Sequence, residues 1–175
     1  GRLYSMPTVS MPHALNPQAF YDQGLRRTIS VGFRGARYKP GIHDERMKIV
    51  EAFKGVHGSD IVIDKDSFLS RSDWAKFLNT CKAIPGAEAG NEGARIISPR
   101  HLESIGCGTL QILKKGDYCG VIDERHYLPF TTVDEALEVV FDEKKRREIT
   151  DSALTHVLEN HTYKHRIEKL LAVCA

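Results

Sequence analysis

The sequence predicts an α/β fold, a three-layer sandwich with helices on both faces of a parallel β-sheet. Two observations predict it. Short apolar runs rich in Val and Ile alternate with longer segments whose apolar residues recur at helical spacing. In addition, 175 residues, 41% of them hydrophobic, suffice for one globular domain with a sizeable core. Strands that alternate with helices form crossover units, and such units give a parallel sheet.

The first half of the chain predicts three strands separated by two helices. The strands are the apolar, β-branched runs at residues 28–33, 60–63 and 82–84. The first helix covers residues 44–54 and begins with an aspartate cap. The second runs from a cap at Ser70 or Ser72 to residue 79. Its apolar face carries Trp74, which we expect to be part of the core.

The second half predicts two more strands and three helices. In chain order they are a helix over residues 98–105, strands over 109–113 and 119–122, and helices over 133–142 and 144–174. The last helical pattern weakens near Asn160, where we expect a break. The basic run 144–147 follows Asp142 and Glu143, which is typical of a solvent-exposed helix face.

The segment before the first strand differs in composition from the rest of the chain. Residues 1–27 hold three prolines and no clean periodicity, so we expect an entry segment or linker that leads into a domain over residues 28–175. The opening GRLYS is typical of the interior of a longer protein. The sequence therefore suggests a domain excised from a larger chain.

Composition and motifs argue against several classes of function. The net charge of +2 does not favour a nucleic-acid partner. The turn after the first strand, GFRG at residues 32–35, lacks the GxGxxG of dinucleotide-binding oxidoreductases. A P-loop and a GxSxG nucleophile elbow are absent from the sequence. The sequence has no apolar run of the ~20 residues that span a bilayer, and no signal peptide is visible.

The cysteines indicate a reducing compartment. None of the four forms a CxxC pair, so we expect reduced thiols and a cytoplasmic location. Cys107 and Cys119 are expected to be small core residues. His161 and His165 have the spacing of helical metal ligands but lack a third ligand, so packing and hydrogen bonding of the last helix is the preferred interpretation.

Glycine and positive charge are concentrated where ligands bind in parallel sheets. The loops 34–43, 85–98 and 114–120 follow predicted strands and therefore share the carboxyl edge of the sheet. Backbone N–H groups at helix starts on this edge favour anions. These loops predict an anionic ligand such as a nucleoside diphosphate. His126 follows another predicted strand, and we weighed a donor contact there against a structural loop contact.

Four stretches carry a family resemblance that covers roughly residues 9–171. They are MPHALNPQAF at 11–20, ISVGFRG at 29–35, SPRHLESIGCG at 98–108 and HTYKHR at 161–166. In this order and spacing they resemble the C-terminal, nucleotide-sugar-binding half of group 1 glycosyltransferases of the GT-B type, in the branch of spore-coat maturation and polysaccharide glycosyltransferases. The resemblance implies a Rossmann-like domain that is one half of a GT-B fold.

The resemblance also implies site residues. Glu103 matches the carboxylate that accepts hydrogen bonds from the donor's ribose, and Arg100 matches the arginine three residues before it. Gly35 matches the glycine that lets the backbone approach the diphosphate. Arg37 is the preferred diphosphate cation, and Arg34 or Arg46 is the substitute.

One further position and one departure from the family pattern concern the donor's phosphates and sugar. Gly116 matches the turn after the last core strand, close to where the donor's phosphates or sugar would lie. The second glutamate of many group 1 enzymes, eight residues before Glu103, is Arg95 here. The catalytic residue stays unassigned.

The activity implied by the resemblance is transfer of a sugar from a nucleoside diphosphate sugar to a glycan, lipid or protein acceptor, as in polysaccharide biosynthesis. We expect no metal cofactor. We also expect an N-terminal acceptor-binding domain outside this chain, without which the chain would be inactive, and peripheral membrane association through the full-length protein. The alternative is a non-catalytic module that binds a nucleotide or nucleotide sugar, or a scaffolding domain.

Overall fold

The computed structural model describes residues 10–36, 44–64, 66, 69–86 and 96–174. In chain order, the strands are β1 (Ile29–Gly35), β2 (Asp60–Ile63), β3 (Cys81–Gly86), β4 (Leu110–Leu113) and β5 (Leu128–Pro129). The helices are α1 (Asp44–Ala52), α2 (Arg71–Thr80), α3 (Pro99–Gly106), α4 (Val133–Phe141), α5 (Glu143–Asn160) and α6 (Tyr163–Cys174). These elements confirm the α/β, Rossmann-like fold that the sequence predicts.

The described strands form one parallel sheet in the order β2-β1-β3-β4-β5. The chain leaves β1 for β2 on one side and then crosses to β3 on the other side of β1. The strand order therefore reverses between β1 and β3, and in such sheets ligands bind beyond the carboxyl ends at the point of reversal. Gly35 and Gly86 are the last residues of these two strands.

Two groups of helices cover the two faces of the sheet. On one face α1 and α4 pack on Val31, Ala83 and Ile112, which are buried in β1, β3 and β4. On the other face α2, α3 and α5 pack together over the remaining side chains of the same strands. Residues on both faces of the central strands are buried, and this explains why the strands appear in the sequence as short continuous apolar runs.

Gly32 allows α2 to pack closely against β1. A Cβ at Gly32 would overlap Sγ of Cys81 and would lie 2.8 Å from Cζ of Phe77. The missing side chain lets α2 approach the strand closely. The helix begins at Ser70, whose hydroxyl accepts a hydrogen bond from the backbone N–H of Asp73 at 3.1 Å.

The segment ahead of β1 packs against the domain in its described part. Leu15 and Phe20 are buried in the same cluster as α2 and α3. The backbone N–H of Leu15 donates to the carbonyl of His161 at 2.8 Å, just before α6. Within the described residues, α6 has no buried side chain, and no helix combines the length and apolar character that a membrane span requires.

Three expectations from the sequence were wrong. Residues 119–122 form a turn instead of a strand, because Cys119 and Gly120 have φ angles of 58° and 66°. Cys119 is exposed and is not a core residue. Within the basic run, Arg146 is buried and its Nη1 donates to the carbonyl of Val140 at 2.5 Å.

Candidate functional site

A cleft of about 510 Å³ opens at the carboxyl end of β1, the strand at which the strand order reverses. Charged groups line it from four parts of the fold: the end of β1, α1, the first turn of α2 and the first two turns of α3. The charged residues and the glycine among its lining residues are Arg34, Gly35, Arg46, Arg71, Arg100 and Glu103. Phe20 and Trp74 contribute the large aromatic side chains.

The helix α3 brings Glu103 into this cleft. Pro99 occupies the first helical position, and the preceding Ser98 donates its backbone N–H to Nδ1 of His101 at 3.0 Å. These contacts fix where the helix begins. Four residues after Pro99, the side chain of Glu103 is partly buried beside α2.

The carboxylate of Glu103 is held by an indole. Nε1 of Trp74 donates a hydrogen bond to Oε2 of Glu103 at 2.8 Å. Burial raises the pKa of Glu103, and the hydrogen bond from Trp74 and the positive charge of Arg100 oppose that rise. The protonation state of Glu103 therefore depends on groups that a ligand in the cleft would also contact.

The guanidinium group of Arg100 lies over two aromatic rings. Its Cζ is 5.3 Å from the ring centroid of Phe33 and 5.1 Å from that of Trp74. Cation–π attraction to two rings restricts a side chain that otherwise has many rotamers. The structure thus brings Arg100 and Glu103 together at one cleft, as the sequence analysis expects.

The two substitute cations also line the cleft. Arg34 forms an ion pair with Asp60, donates to the Asp60 carbonyl at 3.0 Å and lies 4.5 Å from the ring centroid of Phe77. Arg46 is buried, 6.0 Å from the Phe33 centroid, and its Nη2 donates to the carbonyl of Ala36 at 3.5 Å. Asp60 offsets part of the charge that Arg34 brings.

Gly35 lets the end of β1 lie close to the side chains of Phe33 and Arg100. A Cβ there would lie 3.1 Å from Cζ of Phe33 and 3.5 Å from Nη1 of Arg100. With hydrogen in that place, the strand end can approach a bound group that Arg100 also contacts. Arg37, the preferred cation, lies outside the described residues, as does Arg95.

Gly116 lines a different cleft. Its N–H and carbonyl both hydrogen-bond the hydroxyl of Tyr127, at 3.2 and 3.1 Å. This second cleft, of about 370 Å³, also contains Asp117, Asp123 and His156. The structure does not bring Gly116 into the cleft that holds Glu103.

The other histidines singled out in the sequence make structural contacts. His126 is buried, accepts the N–H of Asp123 at 3.1 Å and stacks on His156 with centroids 4.4 Å apart. Nδ1 of His165 accepts the N–H of Thr162 at 3.2 Å and fixes the start of α6. His161 accepts a hydrogen bond from Nη2 of Arg166 at 3.0 Å.

Sequence reasoning missed two residues of the cleft. Trp74 packs against the core, as expected, but it is only half-buried and also lines the cleft, which the sequence did not suggest. Arg71, exposed in the same turn of α2, adds a fourth arginine. The only signal for Trp74 was that an indole N–H on an apolar face needs an acceptor. The sequence gives no indication that this acceptor is Glu103.

The chemistry of the cleft suits a ligand that is both anionic and hydroxylated. Guanidinium groups form charge-assisted hydrogen bonds with phosphate oxygens, and a carboxylate accepts hydrogen bonds from hydroxyl groups. The start of α3, with Ser98 and Pro99 in the cleft wall, adds the positive end of a helix dipole.

Three solved structures similar to this one share its fold. A crystal structure of TarM superposes with a TM-score of 0.61 at 12% identity, over 89% of this chain and 37% of TarM. Sucrose-phosphate synthase from Thermosynechococcus elongatus gives 0.59 at 12% identity, over 94% of this chain and 52% of that one. The C-terminal domain of LpcC, a group 1 family glycosyl transferase from Francisella tularensis, gives 0.61 at 12% identity, over 85% of this chain and 99% of that domain.

The chain thus spans about a third of TarM and about half of sucrose-phosphate synthase, but nearly all of an isolated C-terminal domain. No curated protein matches its sequence. A family model described as "Glycosyl transferase-like" matches residues 35–172, which is most of the chain and includes α3 and the residues that line the cleft other than Phe20 and Arg34. The chain therefore belongs to this glycosyl transferase-like family, with the fold of a GT-B C-terminal domain.

Proposed function

We propose that this chain is the donor-binding part of a glycosyltransferase that uses a nucleoside diphosphate sugar. One observation carries the proposal: a carboxylate, Glu103, and three arginines, Arg34, Arg46 and Arg100, line one cleft at the point where the strand order reverses. Family membership supports the transferase class. The charges of the cleft support a nucleotide-sugar donor.

In the proposed complex each group has a distinct task. Glu103 accepts hydrogen bonds from the ribose hydroxyls, and Arg100 and Arg34 bind the diphosphate. When the bond between sugar and diphosphate breaks, negative charge grows on the leaving phosphate. Guanidinium groups held in the cleft by their own contacts would stabilise that charge with little reorganisation. We therefore propose that the transfer needs no metal cofactor.

The similarity to TarM supports a nucleoside diphosphate. A structure of a TarM variant from S. aureus was solved in complex with fondaparinux, α-GlcNAc-glycerol and UDP, and it superposes on this chain with a TM-score of 0.61 at 11% identity. We propose a glycan, lipid or protein acceptor, bound mainly by a domain outside this chain. By itself the chain would then bind the donor and not transfer its sugar.

A binding titration tests the proposal. UDP, GDP, ADP, CMP and dTDP are titrated calorimetrically into the wild-type chain, into Glu103→Gln, and into Glu159→Gln, which removes an exposed charge from α5. We expect one diphosphate to bind best and Glu103→Gln to weaken it about 10- to 100-fold, the scale of hydrogen bonds to a charged group. Equal binding by all three proteins would exclude Glu103 from the site.

A second candidate is a nucleotide-binding module without catalysis. The presence of Arg95 where many group 1 enzymes have a glutamate favours it. The two candidates differ in turnover. When the acceptor-binding domain is supplied, a transferase hydrolyses or transfers the donor sugar, whereas a binding module retains nucleotide affinity and releases no sugar. A cytoplasmic location is part of both proposals.

A further inference from the structure

The contact between Trp74 and Glu103 joins two helices at the cleft. Trp74 lies in the first turn of α2 and Glu103 in α3, and their hydrogen bond of 2.8 Å spans 29 positions of sequence. Both side chains are only partly buried, and both line the cleft. Trp74 is also the only tryptophan of the chain.

Contacts other than the hydrogen bond to Glu103 hold the indole ring of Trp74 in place. It stacks on Phe77 with centroids 5.7 Å apart and an interplanar angle of 23°, and the guanidinium of Arg100 lies 5.1 Å from its centroid. Its N–H direction is therefore fixed by packing. A glutamate side chain has three rotatable bonds, and ordering them on ligand binding costs affinity.

We propose that Trp74 is a positioning residue, whose indole N–H holds Oε2 of Glu103 so that the carboxylate is already oriented for the hydroxyl groups of the ligand. The inference rests on the function proposed above. Oε1 of Glu103 accepts no hydrogen bond from the part of the chain that the structure describes, so one oxygen is held and the other remains for the ligand.

The charged groups around Glu103 determine how this contact affects binding at different pH. Arg100 lies on its own helix, Arg71 on α2 and His13 in the entry segment, and all three favour the carboxylate form. The thiol of Cys107 is buried, and burial raises its pKa to about 12, so it stays neutral. Burial of Glu103 acts in the opposite direction and raises the pKa of the carboxyl group above 4.5.

The sign of the pH effect follows. Ligand hydroxyls donate to the ionised carboxylate, so binding weakens as the pH falls through the pKa of Glu103. Without the indole N–H, the carboxylate of Glu103 loses a hydrogen-bond donor, so the pKa of Glu103 rises further. As the pH falls, binding is then lost at a higher pH than in the wild type. Mere packing by Trp74 would not move this pH profile.

The first test needs no ligand. The fluorescence of Trp74 is followed from pH 8 to pH 4 in the wild type, in Glu103→Gln and in His13→Gln. We expect a transition with its midpoint above 4.5 in the wild type and in His13→Gln, and its loss in Glu103→Gln. A transition that persists unchanged in Glu103→Gln would overturn the proposed contact. Near-UV circular dichroism separates this transition from acid unfolding.

The second test uses Trp74→Phe, which keeps an aromatic ring against Phe77 and removes the N–H. UDP, or the diphosphate that binds best, is titrated at several pH values. We expect about tenfold weaker binding at pH 7.5 and a binding midpoint raised by about half a pH unit or more. In the Glu103→Gln background, Trp74→Phe should have almost no further effect. Parallel pH profiles for wild type and Trp74→Phe would overturn the positioning role.

The two tests separate the inference from the proposed function. A wild-type chain that binds no diphosphate but shows the fluorescence transition retains the contact and contradicts the proposed donor site, and with it the role inferred for Trp74. A chain that binds diphosphate through Glu103 with the same pH profile in Trp74→Phe retains the function and contradicts only the role of Trp74. If Trp74→Phe fails to fold, the comparison of Glu103→Gln with wild-type fluorescence still tests the contact.

Discussion

Gly35 and Arg100 face each other across the cleft so closely that a Cβ at residue 35 would lie 3.5 Å from Nη1 of Arg100. Gly35 is the last residue of β1, and Arg100 is the second residue of α3. The gap between the strand and the helix is thus set by the absence of one side chain. We expect the diphosphate of the ligand to bind beside this contact, within reach of both the Gly35 backbone and the Arg100 guanidinium.

A side chain at residue 35 should weaken ligand binding more than it weakens folding. We expect Gly35→Val to reduce diphosphate affinity about tenfold or more, because the added methyl groups would displace Arg100 and keep the diphosphate away from the strand end. Gly24→Val is the control, since a Cβ at Gly24 meets no atom within 4 Å, although its φ of 66° adds backbone strain. Calorimetric affinity and thermal melting separate the two effects. Unchanged affinity in a folded Gly35→Val protein would contradict a diphosphate bound beside Gly35.

The stacking of Arg100 on Phe33 and Trp74 predicts that lysine cannot replace it. Lysine keeps the charge but loses the planar group that lies over both rings and forms paired hydrogen bonds with phosphate. We expect Arg100→Lys to lower diphosphate affinity about tenfold in a binding titration. Arg147→Lys, on the exposed face of α5, is the matched control. Equal affinities would show that Arg100 contributes only its charge.

Replacing Arg27, which lies away from the cleft, should lower the stability of the fold substantially. Its Nη1 donates to the carbonyl of Cys81 at 2.7 Å and its Nη2 to the carbonyl of Cys107 at 2.6 Å, so it satisfies backbone groups that follow both α2 and α3. We expect Arg27→Met to lower the free energy of unfolding by about 3 kcal/mol, because buried carbonyls lose their donor. Urea unfolding of the wild type and of Arg27→Met measures this difference in the free energy of unfolding. The neighbouring exposed Arg26→Met should change stability by less than about 0.5 kcal/mol.

The lowered pKa of His161 predicts that the fold loses stability in acid. Burial and the adjacent Arg166 lower the pKa of His161 from 6.5 to about 4. The unfolded chain therefore binds a proton below pH 6.5 that the folded chain takes up only near pH 4. This contribution to stability is complete above pH 6.5 and is lost as the pH falls towards 4. Urea unfolding of the wild type and of His161→Gln at pH 7.5 and pH 5 checks it: the wild type should lose more stability than the variant.

The sequence predicted the elements with strong local patterns. The strand at Asp60–Ile63 was located to the residue, because an apolar β-branched run between turn residues allows few alternatives. The break between α5 and α6 near Asn160 was also confirmed. The two residues of β5 were missed because so short a run has no periodicity, and one of the two is Pro129.

The parts of the site that were missed depend on contacts between distant segments. The sequence singled out Glu103 and Arg100 through their resemblance to a family motif, and their role in binding stays a prediction. The side chain of Trp74 contacts them because Gly32 lets α2 approach β1 and because α2 packs beside α3, and no local pattern encodes that geometry. Arg146 was misjudged for a similar reason, since its acceptor is the carbonyl of Val140 in the preceding helix.

The most direct measurement compares a ribose with a deoxyribose diphosphate, UDP and 2′-deoxy-UDP or the matching pair for the preferred base, by calorimetry on the wild type and on Glu103→Gln. We expect the wild type to bind the ribose form about tenfold more tightly and this preference to disappear in Glu103→Gln, because the hydroxyl then lacks its charged acceptor. A ribose preference that remains intact in Glu103→Gln would contradict the assignment of Glu103 to the donor's ribose.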